Sequence, residues 1–172
     1  MSYRDYIATT SATGDVLLAD WRWCLASVHE LWLVTTWGDA ILRDRDDGSI
    51  HLLDTTSAEL LSIARDAAAF EEALTSPATR DEWLRASLVD RQRRLGMSPR
   101  VDECFGFRIP PAVGGAFDAG NVEIQSIPVH FAITGQLLAE LRAAKPGARL
   151  VGMTVDSEGS PLRNARPWWR FW

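Results

Sequence analysis

Apolar positions along the chain follow two spacings. From Leu31 to Trp37 and from Ala40 to Asp44 they form short β-branched and aromatic runs, punctuated by Trp37-Gly38-Asp39, the composition of strands covered on both faces. Asp46-Asp47-Gly48 precedes a third run, Ser49 to Asp54. Asp-Gly between apolar runs marks a hairpin, because glycine accepts positive φ readily. Together the runs predict an antiparallel meander. Near Pro128 the spacing changes: Val129, Ile133, Leu137 and Leu141 form a four-residue stripe. Phe131 and Leu138 lie on another side, and Ala132, Gly135 and Ala139 make a third side small. Only Gln136 and Glu140 are strongly polar along the middle, so this helix is expected to be buried nearly all round.

Local signals fill in the rest. Asp15 to Ala26 reads as a short helix after a flexible lead-in over residues 1–12. Thr56 with Glu59, and Thr79 with Glu82, have capping-box spacing, in which a hydroxyl and a carboxylate satisfy unpaired helix N-terminal amides. They predict one helix over Leu60 to Ala64 and beyond, and a second running to Gly96, with Arg91, Arg93 and Arg94 complementing its dipole. Cys104 to Ile109 reads as a strand that Pro110-Pro111 must stop, since proline donates nothing to a sheet. A loop over Pro110 to Gly120 and an extended segment over Asn121 to Ile127 lead into the apolar helix. Lys145-Pro146-Gly147 ends that helix, and Ala148 to Val155 is expected as a closing strand. The fold class is α+β: a single domain over residues 13–155, an antiparallel meander packed with several helices. An Arg/Trp-rich tail over 156–172 follows it.

Composition agrees with one domain, since 172 residues at 47% hydrophobic content can bury a substantial core. The formal charge of −5 disfavours nucleic acid and anionic membranes as partners and favours basic proteins. Cys24 and Cys104 are far apart and form no CxxC pair, so reduced thiols are expected rather than a disulfide or metal cluster. The first residues lack the layout of a signal peptide, and the uncharged run Ile124 to Ala139 falls short of the ~20 residues that span a bilayer. A cytoplasmic location and no membrane association are expected.

Candidate chemistry is sparse. The histidines are His29, His51 and His130; His29-Glu30 has no second histidine four residues on, so the zinc-protease helix motif is missing. Cys104 and His130 offer a nucleophile and a base for a small hydrolase, against the reading of an inert buried thiol and a hydrogen-bonded core histidine. Gly114-Gly115 lacks the spacing and lysine of a phosphate-binding loop. No cofactor is expected. Asp44, Asp46 and Asp47 at a hairpin tip, with Glu71 and Glu72, are candidate contacts for a basic partner, or simply solvated turn and helix charges. Arg163, Arg166 and Arg170, interleaved with Trp168, Trp169, Phe171 and Trp172, have the composition of a nucleic-acid-binding tail.

Several ordered motifs go further. Trp21-Arg22-Trp23-Cys24-Leu25, Trp37-Gly38-Asp39-Ala40-Ile41, Asp47-Gly48-Ser49-Ile50-His51-Leu52-Leu53-Asp54 and Phe105-Gly106-Phe107-Arg108-Ile109-Pro110-Pro111-Ala112-Val113-Gly114-Gly115 resemble a bacterial domain family. Asn121-Val122-Glu123, Val129-His130-Phe131 and Gly135-Gln136 extend the pattern, which covers roughly Val16 to Leu150. The family is the Tdi-type immunity domain, named for a protein that neutralises a DNase toxin delivered by type VI secretion. The resemblance implies a non-enzymatic binding protein whose partner is a cognate toxin, possibly a DNase effector. The motif residues read as structural, so they carry over no binding site.

Overall fold

The computed structural model describes residues 2–144. Five strands form one antiparallel sheet in the order of the chain: β1 (Ile7–Ala8), β2 (His29–Thr35), β3 (Ala40–Asp44), β4 (Ile50–Leu53) and β5 (Leu60–Ala64). The meander expected from the apolar runs is thus observed, and the chain folds as an α+β domain. A second sheet is the hairpin of β6 (Glu103–Phe107) and β7 (Val122–Ser126).

Helices cover both faces of the larger sheet. On one side, α2 (Ala67–Ala73), α3 (Pro77–Leu84) and α4 (Ala86–Arg94) bring Phe70, Leu74, Leu84 and Val89 onto Ile41, Ile50 and Leu52. On the other side, α1 (Gly14–Leu17), a 3-10 turn over Ala19–Trp21 and α5 (Ile127–Ala143) bring Leu17, Trp21, Ile127 and Phe131 onto Val34, Ala40, Leu42 and Leu53. Adjacent strand residues feed opposite cores, as the pleat requires. Strand β6 does the same, with Cys104 in the second core and Phe105 in the first, and the Phe105 amide donates to the Thr36 carbonyl at 2.8 Å. A register shift between Leu31 and Leu33 sends both Trp32 and Leu33 to the first core, the local effect of a bulge.

Four sequence expectations are corrected. The first residues are not a free lead-in: a 3-10 turn over Tyr3–Tyr6 and β1 pack against the sheet, with Tyr6 buried and Ile7 paired with Thr35. The apolar run after Thr56 is strand β5 rather than a helix. Asp54 accepts the Thr56 amide at 2.7 Å and Ala58 adopts φ 62°, which turns the chain back so that Leu60 pairs with Leu53; short apolar runs fit either period. The helix start lies later, where Asp66 caps α2 through the Ala69 amide. The helix placed at Thr79 begins instead at Pro77, capped by Ser76, and breaks at Arg85 with φ 50° before resuming as α4. Its end at Gly96 stands, with positive φ there.

The helix after Pro128 is also less enclosed than its stripe implies. Phe131, Leu137 and Leu138 are buried, whereas Val129, Ile133 and Leu141 are only half-buried. The most buried line runs through Ile127, Phe131 and Gly135 because Trp21 and Trp23 lie against it. Their indole N–H groups donate to the carbonyls of Phe131 and Gly135 at 3.0 and 3.2 Å. The expected closing strand over 148–155 and the tail over 156–172 lie outside the described residues. No described helix is long and apolar enough to cross a membrane.

Candidate functional site

The densest polar arrangement among the described residues lies where the two sheets meet α5. The turns before β3 and after β4 place Asp39 and Thr55 side by side. Asp39 Oδ1 accepts from the Thr55 amide at 2.9 Å and from its hydroxyl at 3.1 Å. Arg85, held in the left-handed conformation between α3 and α4, donates from Nε to Asp39 Oδ2 at 3.1 Å and from a terminal nitrogen to Asp54 at 2.7 Å. Asp39 is 1% exposed. Burial raises its carboxyl above the ordinary range, with Arg85 pulling in the opposite direction. Arg85 is raised in turn: burial acts against its charge, but the two carboxylates outweigh that effect. An Arg fork shared by two carboxylates thereby joins the α3–α4 break to two sheet turns.

His130 on α5 continues the network. Its Nδ1 lies 3.0 Å from Gln125 Oε1, and its Nε2 lies 3.0 Å from the Thr55 hydroxyl. The Gln125 amide nitrogen donates to the Phe107 carbonyl and to Glu123, which leaves its oxygen facing the ring. Gln125 Oε1 facing the ring places the proton on Nδ1, and Nε2 lies beside the Thr55 hydroxyl, whose single proton serves Asp39, Gly38 or His130 in turn. Burial lowers the His130 pKa to about 4, opposed by the Gly38 carbonyl, to which a protonated Nε2 would donate. The ring is neutral at pH 7.

Cys104 is the other half of the hydrolase alternative. The thiol and His130 both pack against Gly38, where a Cβ would stand 3.1 Å from Cys104 Sγ and 2.6 Å from His130 Nε2. Proximity does not make a catalytic pair here. No hydrogen bond joins them, both ring nitrogens are engaged elsewhere, and burial, with the charges of Asp39 and Glu103, drives the thiol pKa up. A nucleophilic cysteine requires the opposite shift. The depression beside His130, bounded by Thr55, Pro110, Pro111, Ile133 and Leu138, has a volume of about 30 Å³, the space of roughly one water molecule. The Cys104–His130 alternative is therefore set aside, and both residues serve the core.

The acidic candidates fall into two separate groups. Asp44, Asp46 and Asp47 form the β3–β4 turn, where Asp44 Oδ1 accepts from the Asp46 amide at 2.7 Å and Asp47 Oδ1 from the Ser49 amide at 2.8 Å. Asp46 and Asp47 are exposed, while the Asp44 side chain is only 16% exposed. Glu71 and Glu72 lie exposed on α2, where Glu71 accepts from the Tyr3 hydroxyl at 3.0 Å. No hydrogen bond or ion pair joins the two groups among the described residues. Arg163, Arg166 and Arg170 lie outside the described residues. Arg85, Thr55 and Gln125 had no signal in the sequence, because each works through a partner distant in the chain.

The geometry defines a small α+β domain whose polar centre is a structural hub. Residues 64–138 match the model of the family described as T6SS immunity protein Tdi1, C-terminal. That stretch, from the end of β5 through most of α5, is similar to the Tdi-type immunity domain of type VI secretion that the motifs also resemble. The match contains Arg85, Gln125 and His130, while the motifs from Trp21 to Asp54 precede it. No curated protein matches the chain.

The hub makes stability depend on pH. His130 is held below its ordinary value in the folded state, so the unfolded chain binds a proton that the folded chain refuses between about pH 6.5 and pH 4. Stability is then full above about pH 6.5 and falls as the pH drops toward 4, by about 3 kcal/mol at the lower limit. His29, also lowered by burial, acts in the same direction. Urea unfolding at pH 7 and pH 5 should show the loss, and His130→Gln should flatten it. An unchanged pH slope in that variant would remove His130 as the cause.

Proposed function

We propose that this chain is the immunity partner of a secreted nuclease toxin and acts in the cytoplasm by binding the toxin, without catalysis of its own. The observation that carries this reading is the match of residues 64–138 to the Tdi1 C-terminal family. Two features support it. The Cys104–His130 pair lacks the geometry and charge state of a nucleophile and base. The chain also carries a net charge of −5, which suits a partner with a basic nucleic-acid-gripping face and speeds encounter by electrostatic steering. The exposed carboxylates Asp46, Asp47, Glu71 and Glu72 are the proposed steering groups. Asp44, largely enclosed and bonded to its own turn, contributes least to docking.

The test is stoichiometric protection. Titrating the full chain into a DNA-cleavage assay of a type VI nuclease toxin encoded beside it should abolish cleavage near a one-to-one ratio. Replacing Asp46, Asp47, Glu71 and Glu72 together by lysine should slow association by about 10-fold at low salt and less at high salt. Full toxin activity in the presence of excess protein would end the immunity reading. An unchanged association rate in the fourfold variant would move the docking face elsewhere.

A further inference from the structure

We propose that His29, Asp44 and His51 form a binding site for a zinc-class transition-metal ion on one face of strands β2, β3 and β4. Strand register brings the three together. His29 pairs with Asp44, and His51 pairs with Leu42; Leu42 and Asp44 are two apart on β3 and so share a face. One donor atom from each residue lies within 4.8 Å of the other two. Donors this close converge on one ion at about 2.0–2.2 Å with side-chain movements of about 1 Å. Two imidazoles and one carboxylate match the zinc-class ions and are a poor match for magnesium or calcium, which prefer all-oxygen shells.

A histidine–aspartate hydrogen bond is the ordinary alternative, and the distances argue against it. His29 Nε2 stands 3.9 Å from Asp44 Oδ2, beyond hydrogen-bond range. The His29 side chain is only 9% exposed, and its Nδ1 has no hydrogen-bond partner among the described residues. The buried, unpartnered Nδ1 is costly, and no hydrogen bond from that nitrogen holds the ring against rotation toward an ion. The neighbouring groups are already oriented. Ser49 Oγ holds His51 Nε2 at 2.9 Å, the kind of outer contact that fixes the tautomer of a ligating histidine. The Asp46 amide occupies Asp44 Oδ1 and leaves Oδ2 turned toward His29. A polar depression of about 350 Å³, bounded by His29, Asp15, Arg22, Ser27 and Arg45, lies against His29.

Zinc alone is the probe, titrated into the full chain against a chromophoric chelator, with magnesium as competitor. The expected result is saturable binding of one zinc per chain that excess magnesium does not displace. His29→Gln and His51→Gln should each abolish it, and Asp44→Asn should weaken it strongly. Ser49→Ala should weaken it by about 10-fold. The only other histidine is His130, buried and fully hydrogen-bonded, so residual sites are few. Circular dichroism confirms that each variant is folded, and the shape-conserving Asp44→Asn keeps the test decisive if a histidine variant is not. Absence of saturable zinc binding, or binding that survives in the His29→Gln/His51→Gln double variant, overturns the proposal.

Discussion

Replacing Arg85 by alanine should destabilise the domain by about 3–5 kcal/mol, the range found when one partner of a buried ion pair is removed. The loss exceeds that of a surface pair, usually below about 1 kcal/mol, because of what remains behind. Asp39 is 1% exposed, and without the guanidinium its charge would face only the Thr55 amide and hydroxyl. Asp54 would lose its 2.7 Å contact as well. The expected rescue distinguishes this cause from lost packing. Adding Asp39→Asn to Arg85→Ala removes the stranded charge and should recover part of the loss, giving a coupling energy in a double-mutant cycle. Arg85→Gly should be less damaging than Arg85→Ala by about 1 kcal/mol, since φ 50° at this position strains any residue with a Cβ. Urea midpoints at pH 7 measure the parent, the two single variants and the double variant of the cycle, and Arg85→Gly. A loss below about 1 kcal/mol for Arg85→Ala would show that water replaces the guanidinium and that the hub is not a buried pair.

The hub also explains how far the sequence could be read. Strands β2, β3, β4 and β6 announce themselves because their signals are local: β-branched runs, Asp47-Gly48, and the Pro110-Pro111 stop. Strand β5 does not, since Leu60, Leu61, Ile63 and Ala64 suit a helix as well as a strand, and pairing with Leu53 decides the outcome. The break at Arg85 is hidden for a similar reason. Nothing in Trp83-Leu84-Arg85-Ala86 disfavours a continuous helix, and the left-handed turn is retained by bonds to Asp39 and Asp54, 46 and 31 residues away in the chain. Cys104 and His130 were legible as residue types, but their roles depend on Gln125 and Thr55 occupying the ring nitrogens. The trio His29, Asp44 and His51 needed the strand register, which the bulge between Leu31 and Leu33 places beyond any alternation pattern.

The motif Trp37-Gly38-Asp39 gives the second large effect: Gly38→Ala should cost about 3 kcal/mol, and the cause can be isolated by comparison with Gly114→Ala. Both glycines have positive φ, 90° at Gly38 and 95° at Gly114, so each alanine carries the backbone penalty of about 1–2 kcal/mol. They differ in their surroundings. A Cβ at Gly114 meets nothing within 4 Å, whereas at Gly38 it stands 2.6 Å from His130 Nε2 and 3.1 Å from Cys104 Sγ. Neither neighbour can yield cheaply. The ring is fixed by Thr55 and Gln125, and a Cβ at Gly106 would meet that same Gln125 amide from the other side. Overpacking of this kind adds about 1–3 kcal/mol. Thermal or urea unfolding should therefore place Gly114→Ala about 1–2 kcal/mol below the parent chain and Gly38→Ala further below it by the overpacking cost. If both variants lost the same stability, backbone strain alone would account for the glycine, and His130 would not be clamped. If Gly38→Ala were the more damaging and also shifted the acid limb of the pH profile, the added methyl would have displaced the imidazole from its Thr55 and Gln125 partners.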